Sequence, residues 1–265
     1  NAGLDYVLIV SCDLGIAGAA LATGLGQMVT ALAGLVFFLN QKHALHLTHF
    51  TMHIKELIQA CYNGSSEMVN QFSNAVITFL FNIILMRLAG PNGVAAITIL
   101  LYGQFLFNAF YLGFSIGISP IVGYQYGAGN RKELKRIYRI SFRFVSISSV
   151  IIAFAAVYLS SGIVTIFTDD PKTHALAVTG FGIFAYNFLF SGFNIASSGF
   201  FTALSDGKSS AIISFCRTLL FTVISLLVLP RFFGVNGAWL AIPVAEFVTL
   251  LLSIWMHRKY LYRFI

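Results

Sequence analysis

The chain has 265 residues, of which 58% are hydrophobic and only 9% are charged, and its mean hydropathy is +0.84. Soluble domains carry about 25% charged residues because their surface must be hydrated, so this composition excludes a soluble domain and predicts a membrane protein. The formal net charge is +7, but the basic residues cluster in a few short loops. That clustering is typical of membrane proteins and argues against a nucleic-acid partner.

Long apolar stretches follow one another along the chain. A membrane span needs about 20 apolar residues, and in lipid a helix satisfies its own backbone groups whereas an open strand does not. Seven stretches meet this criterion: 15–39, 67–89, 94–123, 139–167, 174–203, 209–229 and 236–257. Residues 4–10 resemble the outer end of an earlier helix or an interfacial strap. The sequence therefore predicts an all-α polytopic membrane protein with about seven transmembrane helices, embedded in membrane lipid.

The loops between these stretches differ in charge from one side to the other. Twelve of the 16 Lys and Arg residues fall on one side, and only Arg87, Lys172 and Arg231 fall on the other. The segment 131–143 alone carries six of them. Because basic loops remain in the cytoplasm, we expect a multi-pass protein of the cell membrane whose C-terminus is cytoplasmic.

An internal repeat links the two ends of the chain. Residues 15–22 are GIAGAALA and residues 234–241 are GVNGAWLA, and the same offset aligns Gln27 with Glu246. Both segments enter the membrane from the same side, six helices apart, which is the pattern of a parallel repeat in transporters. Chance similarity between two helices rich in small residues is the alternative.

The repeat predicts how the chain is divided. Residues 1–40 would be the last helix of a first bundle, residues 41–63 a cytoplasmic linker, and residues 64–265 a complete second bundle of six helices. Since the chain starts with Asn1 and not with Met, we expect it to be a fragment of a longer, 12-helix protein.

Several stretches resemble the multidrug and toxic compound extrusion (MATE) transporters. They are NGSSEMVNQFSNAVITFLFN (63–82), FSIGISPIVGYQYGAGN (114–130), FFGVNGAWLAIPVAEF (232–247), and SFCRTLLF around Arg217. The resemblance implies a two-lobe transporter of which this chain supplies the C-terminal lobe, with the N-terminal lobe missing. It also implies export of small amphiphilic or cationic drugs in exchange for H⁺ or Na⁺, by alternating access and without any other cofactor.

Two positions depart from the pattern of that family. Some members carry an acidic residue in the middle of helix seven and another in helix ten, where this chain has Asn74 and Asn194. Neither amide can take up a proton, so proton coupling would need another acid.

Glu246 is the main candidate for that acid. It lies near the middle of the last span, shortly after Pro243, where a kink would create a polar pocket. An ionisable group at this depth costs at least ~2.5 kcal/mol and is a functional candidate for that reason, and desolvation favours its protonated form. A structural carboxylate paired with Arg217 is the alternative. Arg217 could also extend to the inner interface instead of pairing.

Glu67 stands at the start of a span, after Ser65 and Ser66. An acidic residue in the first turn of a helix is stabilised by the helix dipole, and a serine can cap the helix. A cation-binding role at the mouth of the cavity is the other interpretation.

Uncharged polar residues within the spans form a further set of binding candidates. They are Asn74, Asn82, Tyr102, Gln104, Asn108 and Asn194. Gln104 and Asn108 are four residues apart and therefore share one face of a helix. Such a face could line a substrate cavity, or it could form hydrogen bonds to a neighbouring helix.

Other chemistries find little support in the sequence. His43, His46, His49 and His53 have a helical spacing, but no Cys or carboxylate completes a metal site, so we expect an interfacial strip and no bound metal. HExxH and P-loop motifs are absent from the sequence, which argues against a metalloprotease or an ATP-driven pump, and we do not expect an enzyme. A lipid-linked oligosaccharide flippase of the same superfamily, or an inactive truncated fragment, remain the alternatives.

Overall fold

A computed structural model describes residues 2–39 and 53–260, except for the side chains at positions 2, 63 and 65–67. Every regular element in these ranges is helical, and the chain divides into two compact units, Asn1–Ile54 and Lys55–Ile265. The histidines at 43, 46 and 49 and the Glu67 side chain lie outside the described residues, so the predictions made for them stay predictions.

The first unit contains α1 (Ala2–Asp5), a π-helical turn (Tyr6–Ser11) and α2 (Gly15–Leu39). The second unit contains α3 (Ile54–Gly127), α4 (Arg131–Phe167), α5 (Pro171–Phe184), a 3-10 turn (Ala185–Asn187), α6 (Phe188–Ala203), α7 (Gly207–Phe215), a π-helical turn (Cys216–Leu220) and α8 (Phe221–Tyr260). The helix of α4 begins eight residues before the predicted span, because the basic segment is helical rather than a loop.

Within residues 2–39 and 53–260, five helical stretches are long and apolar enough to cross a membrane: Gly15–Leu39, Met68–Gly127, Arg131–Phe167, Pro171–Ala203 and Gly207–Tyr260. Two of them, of 60 and 54 residues, would each reach about 80–90 Å if straight, far more than the bilayer core of about 30 Å. The backbone leaves helical geometry once in each, at Gly90 (φ 65°) and Gly234 (φ 56°). Dividing the two stretches there gives the seven predicted crossings.

Contacts beside these two glycines show that the chain turns back on itself. A Cβ atom placed on Gly237 would overlap the carbonyl group of Leu229, and one on Gly93 would lie 3.0 Å from the carbonyl oxygen of Leu85. In a continuous helix, residues eight apart are separated by about 12 Å. Each long stretch is therefore a tight pair of helices.

The same turn occurs three times in the part of the chain that the structure describes. Gly15, Gly90 and Gly234 all have a positive φ, and each is followed three residues later by a glycine that contacts an earlier carbonyl group. In the first unit this second glycine is Gly18, whose Cβ would lie 2.8 Å from the carbonyl oxygen of Leu8. The repeat seen in the sequence thus corresponds to a shared backbone turn, and the Gly90 copy was missed by the sequence comparison.

Side chains cap the helices that follow the other turns. Asn130 accepts a hydrogen bond from the Glu133 amide at the start of α4 (3.3 Å), and Asp170 accepts one from the Thr173 amide at the start of α5 (2.8 Å). The hydrogen bond from the Thr173 amide holds the pKa of the exposed Asp170 carboxyl below its ordinary value. Such caps satisfy amide groups that have no partner within the helix.

The interior of the second unit is packed with aromatic rings and small residues. Phe181 and Trp239 are fully buried, and Gly180 lets Leu100 and Trp239 approach the α5 backbone closely. Small residues at such positions are what allow membrane helices to pack, because lipid supplies little hydrophobic driving force between them. This packing brings α3, α6 and α8 around one cavity.

Candidate functional site

A polar cavity of about 280 Å³ lies within the second unit, between α3, α6, the Cys216–Leu220 turn and α8. Its polar lining residues are Asn70, Gln71, Asn74, Thr78, Gln104, Asn108, Arg217, Thr218, Thr222 and Glu246. Its apolar lining residues are Ile77, Leu101, Phe105, Leu112, Ile195 and Ile242. Amides, hydroxyls and one charge pair thus face a cavity whose other walls are apolar.

Glu246 is the buried carboxylate of this cavity, with 5% of its surface exposed. The Asn194 amide donates to its Oε2 atom at 2.7 Å and to its backbone carbonyl at 2.9 Å. The backbone φ and ψ angles remain helical at Pro243, so the chain does not leave helical geometry there. The polar contacts of Glu246 come from the Asn194 amide of α6. They do not come from a backbone carbonyl freed by a break in α8.

Arg217 provides the positive charge opposite Glu246. Its Nη1 atom lies 3.7 Å from Glu246 Oε1, and both side chains are largely buried. Arg217 stands in the π-helical turn Cys216–Leu220, where Thr222 donates to the Arg217 carbonyl five residues earlier at 2.7 Å. Single π-helical turns within helices are frequent at functional sites. The separation exceeds the 2.7–2.9 Å of a charge-assisted hydrogen bond, and Nη1 has no hydrogen-bond partner among the described residues.

Asn194 is fixed by a second helix contact. Ser253 donates to Asn194 Oδ1 at 3.0 Å, so the amide nitrogen must point towards Glu246. One turn further along, Ser197 and His257 Nε2 are 2.9 Å apart. The α6–α8 interface is therefore a polar seam that leads away from the cavity.

The part of α3 that follows Gly90 carries the amide face predicted from the sequence. Gln104 and Asn108 both line the cavity, and Ser191 donates to Asn108 Oδ1 at 3.2 Å. Asn74, in the part of α3 that precedes Gly90, also lines the cavity, and its side chain is exposed. Both sequence interpretations thus apply to Asn108, which faces the cavity and also bonds to α6.

Two predicted residues lie elsewhere. Asn82 is half-buried and is not among the described residues that line the cavity. Tyr102 is 59% exposed and its ring stacks on Phe167, with centroids 6.0 Å apart. For Tyr102 a contact with α4 replaces the expected cavity position.

Several lining residues were missed in the sequence. Asn70 and Thr78 each lie four residues from Asn74, which the sequence had already indicated, and Thr218 and Thr222 are also four apart, so each set shares one helix face. This spacing was the available signal. The hydroxyl groups were overlooked because Ser and Thr also bond to their own helix, as Thr78 does to the Asn74 carbonyl at 2.8 Å.

Comparison with known proteins identifies relatives of this chain. The sequence model of the MatE family matches residues 68–227. The multidrug export protein MepA of Staphylococcus haemolyticus is 23% identical over 272 residues, which cover 97% of this chain and 56% of that protein. MepA of Staphylococcus aureus strain MSSA476 is 22% identical and is covered to 54%. The chain therefore spans little more than half the length of these relatives.

Solved structures share its fold. A crystal structure of MATE in complex with MaL6 superposes with a TM-score of 0.89 at 20% identity, covering 98% of this chain and 60% of the other. A MOP superfamily transporter from Pyrococcus furiosus superposes with a TM-score of 0.86 at 21% identity, covering 97% and 58%. At this level of identity the superposition establishes the helical architecture only.

Proposed function

Because the chain belongs to the MatE family, we propose that it forms one lobe of a secondary transporter that exports drugs and organic cations in exchange for H⁺ or Na⁺. In this proposal a second lobe faces the cavity, and the two lobes alternate between inward and outward openings, as repeat-built transporters do. The protein lies in the cell membrane with its C-terminus in the cytoplasm, so that export is directed outwards.

The observation that carries the proposal is the buried Glu246 carboxylate at the wall of a polar cavity. Its partner Arg217 is 3.7 Å away, close enough to stabilise the charge but too far for a tight hydrogen bond. A proton or Na⁺ arriving at the carboxylate would therefore weaken the attraction to Arg217. Glu246 thus has two alternative partners, which is the property a coupling residue needs.

The remainder of the cavity suits an amphiphilic cation. Phe105, Leu101 and Ile77 offer apolar surface beside the amides of Gln104 and Asn108. Ligand sites commonly combine apolar walls with a few polar groups that fix orientation, and an aromatic face attracts a positive charge. Substrate and coupling ion would then compete for one carboxylate.

The flippase alternative is less well supported. A pyrophosphate-linked sugar would require free cations in the cavity, yet Arg217 is the one basic residue among the described lining residues. It is already paired with Glu246.

Efflux of a cationic dye from cells expressing the gene that encodes this chain tests the proposal. Glu246→Gln keeps the size and polarity of the side chain but removes the ionisable group, so we expect efflux to fall to the level of cells without the gene. Glu246→Asp keeps the carboxylate and should retain part of the activity. Glu133→Gln, a half-exposed carboxylate of α4 that pairs with Arg136, is the control and should leave efflux unchanged.

Protein amounts in the membrane must be equal in all four strains. Normal efflux by Glu246→Gln would remove this residue from the coupling step and with it the proposal. Imposing a pH gradient or a Na⁺ gradient separately on vesicles distinguishes the two coupling ions.

A further inference from the structure

A cleft that the transport proposal does not use lies where α4 begins and α8 ends. Its volume is about 390 Å³, and its walls come from three helices. They include Tyr138 and Phe142 of α4, Phe193 of α6, and Leu250, Ile254 and Arg258 of α8. A second pocket, on the face of α4, shares Tyr138 and Phe142 and is otherwise lined by Lys135, Arg139, Arg143 and Ser146. The two together are called the basic cleft here.

The rim of the basic cleft carries four exposed positive charges: Lys135, Arg139, Arg143 and Arg258. The first three are spaced by four residues and so share one face of α4. Within residues 53–260 none of the four forms an ion pair, and the nearby Glu133 pairs with Arg136 at 3.8 Å. The rim therefore presents uncompensated positive charge.

The floor of the cleft is mostly apolar, and Ser197, Ser253 and His257 also line it. The Phe142 and Phe193 rings are 6.3 Å apart, Leu250 is half-buried, and Ile254 is 43% exposed. A free phosphate ion would bind to the cationic rim and would make no contact with the apolar floor. An apolar floor below a cationic rim fits a molecule with an anionic head and a hydrocarbon chain.

Two helices place this cleft at the surface of the bilayer. Helix α4 has 37 residues and is about 55 Å long, so it exceeds the hydrocarbon core of about 30 Å and its basic first turns lie at headgroup level. On α8, Lys259 Nζ lies 4.7 Å above the Trp255 ring, and such Trp residues are enriched at the membrane interface.

We propose that the basic cleft binds an anionic phospholipid, with the phosphate between Arg139, Arg143 and Arg258 and an acyl chain along Phe193, Leu250 and Ile254. The bound lipid links α4 to α8 at this end of the bundle. This site is separate from the Glu246 cavity and does not depend on the transport function.

Native mass spectrometry of the purified chain in detergent tests the site, by titration with phosphatidylglycerol or with phosphatidylcholine of the same acyl chains. We expect phosphatidylglycerol to bind preferentially. Arg139→Gln/Arg143→Gln should weaken it by about fivefold for each arginine removed, the usual effect of one basic residue near an anionic lipid. Arg131→Gln/Lys132→Gln removes the same charge from the exposed start of α4, outside the cleft, and should retain binding.

Ile254→Trp fills the floor without changing any charge and should also reduce binding, which keeps the test decisive if the arginine variant fails to fold. Equal binding of the two lipids, or equal losses in the two charge variants, would overturn the site. Displacement of the lipid by inorganic phosphate alone would likewise overturn it, because it would show that the floor contributes nothing.

Discussion

The site is built around a buried charge pair whose geometry leaves one side unsatisfied. Glu246 receives hydrogen bonds from Asn194 at 2.7 and 2.9 Å, while Arg217 stands 3.7 Å from it and its Nη1 atom has no hydrogen-bond partner in the described part of the chain. Buried pairs of this kind are weak contributors to stability, because the desolvation of two charges offsets their attraction. A functional role therefore explains the pair better than a contribution to folding stability does.

Removing one partner should show this. Arg217→Met leaves Glu246 buried without its counter-charge, and we expect the free energy of unfolding to fall by about 3–5 kcal/mol. Arg217→Met/Glu246→Met removes both charges, and its stability should return to near the original value because no unpaired charge remains. Unfolding in mixed detergent micelles, followed by circular dichroism, measures both.

If the double variant were as unstable as the single one, the charge pair would be a stabilising element and the case for a coupling role would weaken. Recovery of stability without recovery of dye efflux would separate the two roles.

At the scale of elements, the glycine turns define how the helices pair. Gly234 has a φ of 56°, a backbone region that costs an L-residue with a side chain roughly 1–2 kcal/mol. Gly237 has the Leu229 carbonyl group against it, and backbone atoms cannot move aside as a side chain can. Two different constraints thus act on two glycines three residues apart.

Gly234→Ala should lower stability by about 1–2 kcal/mol through backbone strain, and Gly237→Ala should lower it further by forcing the two arms of α8 apart. Gly182→Ala is the matched control, because no atom lies within 4 Å of a Cβ atom there, and alanine in a helix is favoured by roughly 0.5–1 kcal/mol. Thermal unfolding of the three variants in the same detergent measures the order of their stabilities. A Gly237→Ala variant as stable as Gly182→Ala would show that the close turn is not required.

At the scale of the whole molecule, charge is distributed unevenly between the two ends of α4. Its first 13 residues carry six Lys and Arg residues, whereas the segment after its last residue contains Asp169 and Asp170. Because basic segments remain in the cytoplasm, one end of the second unit should be cytoplasmic and the other external.

Single cysteines test this orientation in a chain from which Cys12, Cys61 and Cys216 have been removed. Lys132→Cys should react with an impermeant thiol reagent only after the cells are opened, and Asp169→Cys should react in intact cells. Both labelling sites are in exposed positions, so lack of reaction reports sidedness and not burial. The reverse pattern would invert the topology and with it the direction of transport.

The sequence by itself determined the membrane class, the helical architecture, the number of crossings and the family resemblance. The first three depend on composition and on the length of apolar stretches, and the resemblance depends on short stretches of matching residues, all of which are local properties. The gaps between the predicted spans, 90–93 and 230–235, also contain the turns at Gly90 and Gly234, since short polar or Gly/Pro-containing segments must interrupt apolar runs at the membrane surface.

Only the tertiary structure decided which polar residues meet. Asn194 and Glu246 are 52 residues apart in sequence yet 2.7 Å apart in space, and Tyr102, two residues from Gln104, faces away from the cavity and stacks on Phe167. A helix that is apolar on all sides carries no pattern to show which face is inside. The rotation of each helix is set by its packing against neighbours such as Gly180 and Trp239, and that information exists only once the helices have come together.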